Sequence, residues 1–589
     1  MAFPKKIKLP VATSNRSQHD LSCQHITTSD FMTFNVAKAM ELVPNQSVNI
    51  QMQTFARLEP LAVPTFGRAL IKNRAYFVPF RTVWTAWNDF ITDVPHIYDN
   101  GEMSQVSTVP TVNTNALSRI FLDDAYSTEV QSTSAYDFDY ITYTGSSSNN
   151  ISNHSYGKFT ALGRHTYKLL RSLGYTVDFT SRNHAVSALP LLALCRVYFD
   201  YYYPSQYSSD EESAWLQSFF QNNGTVGTGG YFFTLDDLIR MFKVVTKVSY
   251  DTDYFTSAWD NPNAPNSGLA SSVVINDINN PDHDIVYDGL QGVTTAPVIA
   301  SESAGTIERL SQFALNALRS LSDYLKRNQI SGSRVIDRYL ARFGVKLRNE
   351  QLNRSVYLGE YLQDIKFGDV ISSASTEDAT LGAYAGRGVS FGNGNFSFDA
   401  DEYGMMIIVS TIIPETQYYQ GENRHCNHLS KLDFFTPEFD NLGTQAMACT
   451  ELYVPTGGMP PTYRDKVFGF TPRYAEYKVP HSQITGDFIV RSLNTGKDAW
   501  TLFRDVSPFV NEVGIDNLEH SITFVEGQDS EQYNRIFTYV GTDADKINII
   551  HDFNIQSNFP GKSLYDTYEF ENEDKAQKTT LELNGTTHN

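Results

Sequence analysis

Residues 401–421, DEYGMMIIVSTIIPETQYYQG, limit what this chain can fold into more than any other stretch. From Met405 to Ile413 the run is almost continuously apolar and rich in β-branched side chains, the pattern of a strand buried on both faces. Gly404 precedes the run, and Pro414, which has no backbone donor, ends it. The run is far shorter than the ~20 residues a membrane helix needs. A strand covered on both sides requires neighbours in its sheet and further segments above and below. The chain is therefore expected to be a large β structure. The polar and aromatic residues that follow, 415–421, read as a surface or interface segment and not as a catalytic loop.

With 589 residues the chain can bury a sizeable core, and a large β fold can use that length as one unit with insertions. It is rich in Tyr (34) and Phe (38) but has only 5 Trp, a bias that suits either strands or wet protein interfaces. Net charge is −20, but it is unevenly spread. Residues 1–90 hold ten Lys and Arg against five Asp and Glu, and residues 303–366 hold eleven against six, which leaves about −30 on the rest. Such asymmetry fits a protein with one face toward nucleic acid and another toward solvent. The four cysteines, Cys23, Cys195, Cys426 and Cys449, are scattered without a CxxC pair and suggest free thiols in a reducing compartment. The N-terminal MAFPKKIKLP has no apolar core behind its charges, so no secretion signal is expected. No apolar window approaches membrane-spanning length, so a soluble protein made in the cytoplasm, without membrane insertion, is expected.

Along the chain, residues 1–47 read as a polar N-terminal arm with a basic Lys5, Lys6, Lys8 cluster. Val48, Ile50 and Met52 alternate with polar residues, as in a half-buried strand. Residues 74–80 (RAYFVPF) predict another strand, and Trp84, Trp87 and Phe90 a short packed helix or turn. Residues 188–203 predict a buried helix closed by Pro204. A capped helix is expected from Thr234, and an amphipathic one over 306–327 with Ile307, Leu310, Ala314, Ala317, Leu321 and Leu325 on one stripe. Residues 99–158 and 260–300 are polar, turn-rich insertions expected at the surface, Trp500 lies in a strand-like region, and 572–589 form a polar tail. Strands at both ends with helices between them suggest one β core interrupted by long insertions.

Six blocks then resemble, in order, the major capsid proteins of the Microviridae, nearest the gokushovirus-like branch. They are RSQHDLS (16–22), RAYFVPFRTVWTAW (74–87), DYFTSAW (253–259), SGSRVIDRYLARFGVKLRNEQLNRSVYLG (331–359), residues 401–421, and FTPRYAEYKVPHSQITGDF (470–488). The resemblance implies a mainly β fold with helical insertions: an antiparallel eight-stranded jelly-roll barrel with long inter-strand loops. It also implies self-assembly of identical subunits into a T=1 icosahedral capsid around a circular single-stranded DNA genome. Other viral structural proteins and a host-cell receptor are implied partners, the virion is the implied location, and no cofactor is expected.

Closure of a shell needs several distinct interfaces on each subunit. Tyr418, Tyr419, Tyr474 and Tyr477 are candidates for them, or equally for core and interstrand packing. DNA contact is expected to be electrostatic and indifferent to sequence. The candidates are Lys5, Lys6 and Lys8 on the arm, with Arg334, Arg338, Arg342, Lys346 and Arg348 in the basic block. On a helix the first three arginines share one face, which could instead be solvated or meet another subunit.

Enzymatic motifs fit poorly. The HCNH run with His425, Cys426 and His428 lacks a second ligand pair, and residues 281–284 (PDHD) lack companions. The glycines of GRGVSFGNGN lack the Lys-Ser/Thr end of a P-loop, and neither GxSxG nor HExxH occurs. Asp236 and Asp237 read as a helix start. The alternative function is a β-sandwich carbohydrate-binding or glycan-processing protein, which would need two carboxylates across a cleft and normally a secretion signal. A cellular β-rich scaffold stands third.

Overall fold

The computed structural model describes residues 16–84, 86–92, 108–113, 161–175, 185–204, 248–259, 354–368, 387–429, 433–440, 444–455, 466–488, 497–526, 530–541 and 544–561, with short pieces between them. Nine strands make the main antiparallel system. They are β1 (Ser17–Asp20), β2 (Cys23–Ser29), β3 (Phe34–Leu42), β4 (Gln46–Leu58), β5 (Ala69–Pro79), β6 (Val356–Gly368), β7 (Arg387–Ala400), β8 (Gly404–Pro414) and β9 (Ile547–Phe559). Their order is β1-β9-β4-β7-β6-β5-β8-β3, with β2 also paired along β9. Apart from the short β1, these strands fall into two groups of four, β2-β9-β4-β7 and β6-β5-β8-β3. Among the described residues three pairs, Lys366–Val389, Phe367–Gly388 and Gly368–Arg387, join the groups through β6 and β7.

One apolar cluster takes Val48, Ile50 and Met52 from β4 and Phe553 and Ile555 from β9, together with Ala75 and Phe77 from β5 and Met406 and Ile408 from β8. Both groups thus turn one face to a shared interior, and the chain forms a jelly roll of eight long antiparallel strands. The mainly β class expected from the sequence is what the structure shows.

All eleven residues of β8 are buried, and two different cores bury them. Met406 and Ile408 point between the sheets, whereas Met405, Ile407 and Val409 point to the opposite face. There they meet helix α1 (Leu189–Val197) and the π-helical turn Tyr198–Tyr202 that extends it. This two-sided cover is why the sequence of β8 runs apolar without alternation, while β4, covered on one side, alternates strictly. Gly404 is required at the start of β8, because a Cβ there would lie 2.5 Å from the Val78 carbonyl oxygen. The glycines of β7 serve a related purpose. A Cβ on Gly394 would come within 2.7 Å of the Tyr361 ring, which lies across β7 where the two sheets splay apart. Gly392 and Gly394 thus shape β7 to admit a tyrosine.

Several expectations change here. Within residues 1–47, expected as an arm, β1, β2 and β3 are strands of the main system, and only residues 1–15 lie outside the described residues. β1 and β2 are edge strands whose pairing with β9 needs little apolar pattern, so their polar sequence hides them. Asn35, a buried polar residue in β3, is satisfied by Ser29 Oγ at 2.6 Å and Thr33 Oγ1 at 3.0 Å. Trp500 ends a 3₁₀ turn, Asp498–Trp500, and stacks on Phe66, where a strand was expected. Trp84 and Trp87 are buried beside Phe90, at the short helix Trp87–Thr92, as expected. The helix expected over 306–327, the tail 572–589 and most of 99–158 and 260–300 lie outside the described residues.

A second core follows β8. Tyr254, Phe255 and Ala258 pack there with Tyr418, Met447, Leu452, Phe468 and Phe524. Its strand pair is Thr444–Ala448 with Val467–Pro472.

The cores also hold buried imidazoles. Burial holds His165 and His551 neutral down to about 3, and His520 down to about 4, from an ordinary 6.5. Unfolded imidazoles would bind protons as soon as the pH drops through 6.5, so the stability these groups contribute is present above 6.5 and lost toward pH 3–4. Asp30 acts oppositely: burial, then the neighbouring Asp545, push its carboxyl up to about 6, so its contribution is full below 3.8 and lost as pH rises through 6. Between pH 4 and 6 the unfolded chain gains three protons from these groups against one held by the native state. The net two correspond to about 3 kcal/mol of stability lost per unit of acidification. Denaturant titrations at pH 7 and pH 5 are expected to show this loss; equal stability at both would contradict it.

Candidate assembly surfaces

The DYFTSAW block is the hinge between the barrel and the second core. Asp253 Oδ1 accepts from the backbone N–H of Phe255 (2.9 Å) and Thr256 (2.7 Å) and from Thr256 Oγ1 (3.0 Å), closing a tight turn. Its Oδ2 accepts from Thr416 Oγ1 (2.7 Å) and Tyr418 Oη (2.6 Å), both just beyond β8. Trp259 then exchanges two backbone hydrogen bonds, of 2.8 and 2.7 Å, with Phe470. Arg504, buried, lies 3.9 Å from the Tyr250 ring and 4.1 Å from that of Phe524 and reaches Tyr418 Oη at 3.4 Å. Such a cation is tolerated because two ring faces and hydrogen bonds replace its water.

The four candidate tyrosines therefore occupy different environments. Tyr418 is buried on Asp253, and Tyr419 is half-buried with its ring edge against Phe503. Tyr474 is buried too, with φ of 62° in the left-handed region that non-glycine residues rarely adopt. Its hydroxyl donates to the Phe434 carbonyl (3.2 Å) and accepts from the Thr436 N–H (3.3 Å), while its own N–H donates to Gln445 Oε1 (3.1 Å). It acts as an internal strut under the 434–436 loop. Tyr477 is 55% exposed.

Above that strut lies an aromatic patch of which Tyr477 alone was a candidate from the sequence. Phe434 is 55% exposed, Phe435 45% and Leu429 89%. Phe435 packs edge-on against Tyr474 and Tyr477 at 5.0 and 5.9 Å, and His428 bridges Phe434 and Tyr477 at 5.4 and 6.2 Å. Paired phenylalanines in a polar loop were the one available signal. Contiguous exposed apolar surface of this kind marks a contact site.

A cavity of about 240 Å³ opens nearby, lined by Tyr254, Arg424, His425, Glu451, Glu476 and His481 among others. Two of its carboxylates, Glu451 and Glu476, are held by Arg424. Arg424 holds Glu451 Oε1 at 2.8 Å and Glu476 Oε2 at 3.8 Å, and Tyr254 donates to Glu451 Oε2 at 3.0 Å. Burial pushes the Glu451 carboxyl up, against the pull of Arg424. The arrangement ties the loop that carries Arg424 to Glu451 and Glu476. Among the described residues no group of three or more His, Cys, Asp or Glu could hold a metal ion.

A second exposed surface covers the outer face of β2-β9-β4-β7. Phe391, Phe55, Ile550 and Ile26 stand in direct register across the four strands and form one apolar row. The adjacent row is polar: Asn393, Gln53, Asp552 and Gln24. Phe391 and Ile26 are largely exposed. This row joins four distant segments, so no local pattern reveals it. The DNA candidates Lys5, Lys6, Lys8, Arg334, Arg338, Arg342, Lys346 and Arg348 all lie outside the described residues.

The family described as "Capsid protein (F protein)" matches residues 8–158 and 161–558 of the chain. The chain belongs to this capsid protein family. Among similar proteins are two called capsid protein VP1. The one from Chlamydia phage 1 is 24% identical, over 86% of this chain and 90% of its own length. That from Bdellovibrio phage phiMH2K is also 24% identical, over 87% of this chain and 89% of its own length. In this F-family capsid protein three of the blocks that carried the resemblance sit at the two cores: residues 74–79 lie in β5, DYFTSAW carries the Asp253 turn, and FTPRYAEY carries the Tyr474 strut. No described helix of this capsid protein is long and apolar enough to cross a membrane.

Proposed function

We propose that this chain is the major capsid subunit of a small T=1 icosahedral virion and closes, with copies of itself, around a circular single-stranded DNA genome. The observation that carries the reading is the exposed patch of Leu429, Phe434, Phe435 and Tyr477 on a jelly-roll subunit of a capsid family. Aromatic residues seated on a rigid strut are the anchors that subunit interfaces use. We assign this patch, with Tyr477 at its rim, to a subunit–subunit contact; Tyr474 supports it from within, and Tyr418 and Tyr419 serve packing elsewhere. The protein's role is structural, and no catalytic step is assigned to it.

Genome contact falls to the Lys5, Lys6 and Lys8 cluster and to the basic block with Arg334, Arg338, Arg342, Lys346 and Arg348. Lys and Arg release counterions from phosphate without reading sequence. The insertions 99–158 and 260–300 are assigned to the outer surface and to host attachment. Other viral structural proteins are assigned as its partners in the virion, and synthesis is assigned to the host bacterial cytoplasm. Expression beside the neighbouring viral genes is expected to yield uniform closed particles, and persistent monomers would count against the reading. Replacing Lys5, Lys6 and Lys8 by Gln is expected to leave particles closed but lower their DNA content, read from the ratio of absorbance at 260 and 280 nm. Unchanged DNA content would remove the arm from genome contact.

A further inference from the structure

Among the described residues the two sheets of the barrel are joined by hydrogen bonds along one side, at β6–β7, and not along the other. On that open side β2 and β3 run past each other at the corner where the chain crosses from one sheet to the next, and among the described residues they share no strand pairing. Two side-chain contacts bridge the gap. His25 Nδ1 lies 2.8 Å from the Ala37 carbonyl oxygen, and Lys38 Nζ lies 3.0 Å from Cys23 Sγ. No carboxylate pairs with Lys38 among the described residues, so the thiol is the partner its amine has. Cys23 is half-buried, within reach of small oxidants, whereas Cys195 and Cys449 are enclosed in the cores.

We propose that Cys23 and Lys38 are a modification site at which oxidation forms a Sγ–O–Nζ bridge that staples the two sheets. The co-reactant is dioxygen. The lysine first gives a proton to solvent; then thiol, amine and dioxygen yield the bridge and one water. One S–O and one O–N bond form, the S–H and one N–H bond are lost, and the second oxygen atom leaves as water. Sulfur and nitrogen each give up two electrons, and dioxygen takes four. A single oxygen atom spans the existing gap with little movement of either side chain. The bridge would be absent in a reducing cytoplasm and would form once the protein meets air, on the side of the barrel that lacks backbone pairing. This rests on side-chain geometry alone and holds whatever the protein assembles into.

The test is peptide mass spectrometry of the full-length protein, kept either in air or without oxygen under dithiothreitol, then digested with trypsin. Trypsin does not cut after a modified Lys38, so the bridged form is the single peptide spanning residues 17–57. It should be about 14 Da heavier than its sequence, one oxygen gained and two hydrogens lost. It should appear in air, vanish on reduction, and leave Cys23 closed to alkylation while the exposed Cys426 reacts. Air-treated wild type should also melt several degrees higher than its reduced form, a difference absent in Lys38→Met. Free alkylation of Cys23 after exposure to air, or oxygen added at Cys23 with cleavage after Lys38 intact, would overturn the proposal. Both outcomes are read on the wild-type chain, so they stand even if a variant fails to fold.

Discussion

Subunits carrying Phe435→Asp together with Tyr477→Asp are expected to fold normally and to form no shells. Both side chains are about half exposed in the isolated subunit, so charge there leaves the cores untouched and changes folding stability little. Their rings meet at 5.9 Å over the buried Tyr474 strut, a rigid aromatic pair with apolar neighbours Phe434 and Leu429. Truncating such anchors commonly costs 2 kcal/mol or more (roughly 30-fold in affinity) at each contact. An unpaired carboxylate in the same place adds its own desolvation. A closed shell repeats the contact many times, so the loss is expected to read as all or none. Sedimentation gives the assembly state and circular dichroism the fold. Shells of normal yield from the double variant would remove the patch from the interface.

Asp253→Ala is expected to have the largest effect on folding of any exchange in the second core. One carboxylate accepts five hydrogen bonds, two from backbone N–H groups and three from hydroxyls of Thr256, Thr416 and Tyr418. Truncation strands the buried Tyr418 hydroxyl and opens the turn that positions Tyr254 and Phe255. A loss of about 3–5 kcal/mol follows from leaving such groups unsatisfied. Asp253→Asn keeps the shape but puts an amide where an acceptor stood, and should lose less. Denaturant midpoints of the three proteins measure this directly, and a midpoint shift under the equivalent of about 1 kcal/mol for Asp253→Ala would contradict the role assigned to the turn.

These two sites differ in how well the sequence announced them. The DYFTSAW block stood out as a unit, and its chemistry is local: Asp253 and Thr256 close their own turn. β8 was equally legible, because cover on both faces leaves an uninterrupted apolar run from Met405 to Ile413, and β4 because cover on one face leaves alternation. β1 and β2 were hidden for a physical reason. An edge strand is held by backbone pairing with β9, so residues such as Gln18, Gln24 and Thr28 serve there and read as an arm. The tyrosines show the same limit at the level of a side chain. Tyr474 and Tyr477 are three residues apart, yet one is a buried strut and the other a surface anchor. What separates them is contact with Phe434, Thr436 and Gln445, which lie 40, 38 and 29 residues away in the chain. The apolar row of Phe391, Phe55, Ile550 and Ile26 exists only once the register of four strands is set.

Sedimentation velocity with negative-stain microscopy, on the wild-type chain expressed alone and beside its neighbouring viral genes, tests the central claim most directly. Uniform closed particles are predicted, in at least the co-expressed sample, and their loss in the Phe435→Asp, Tyr477→Asp variant. Wild-type protein that stays monomeric in both samples would contradict the capsid account and turn attention to glycan binding.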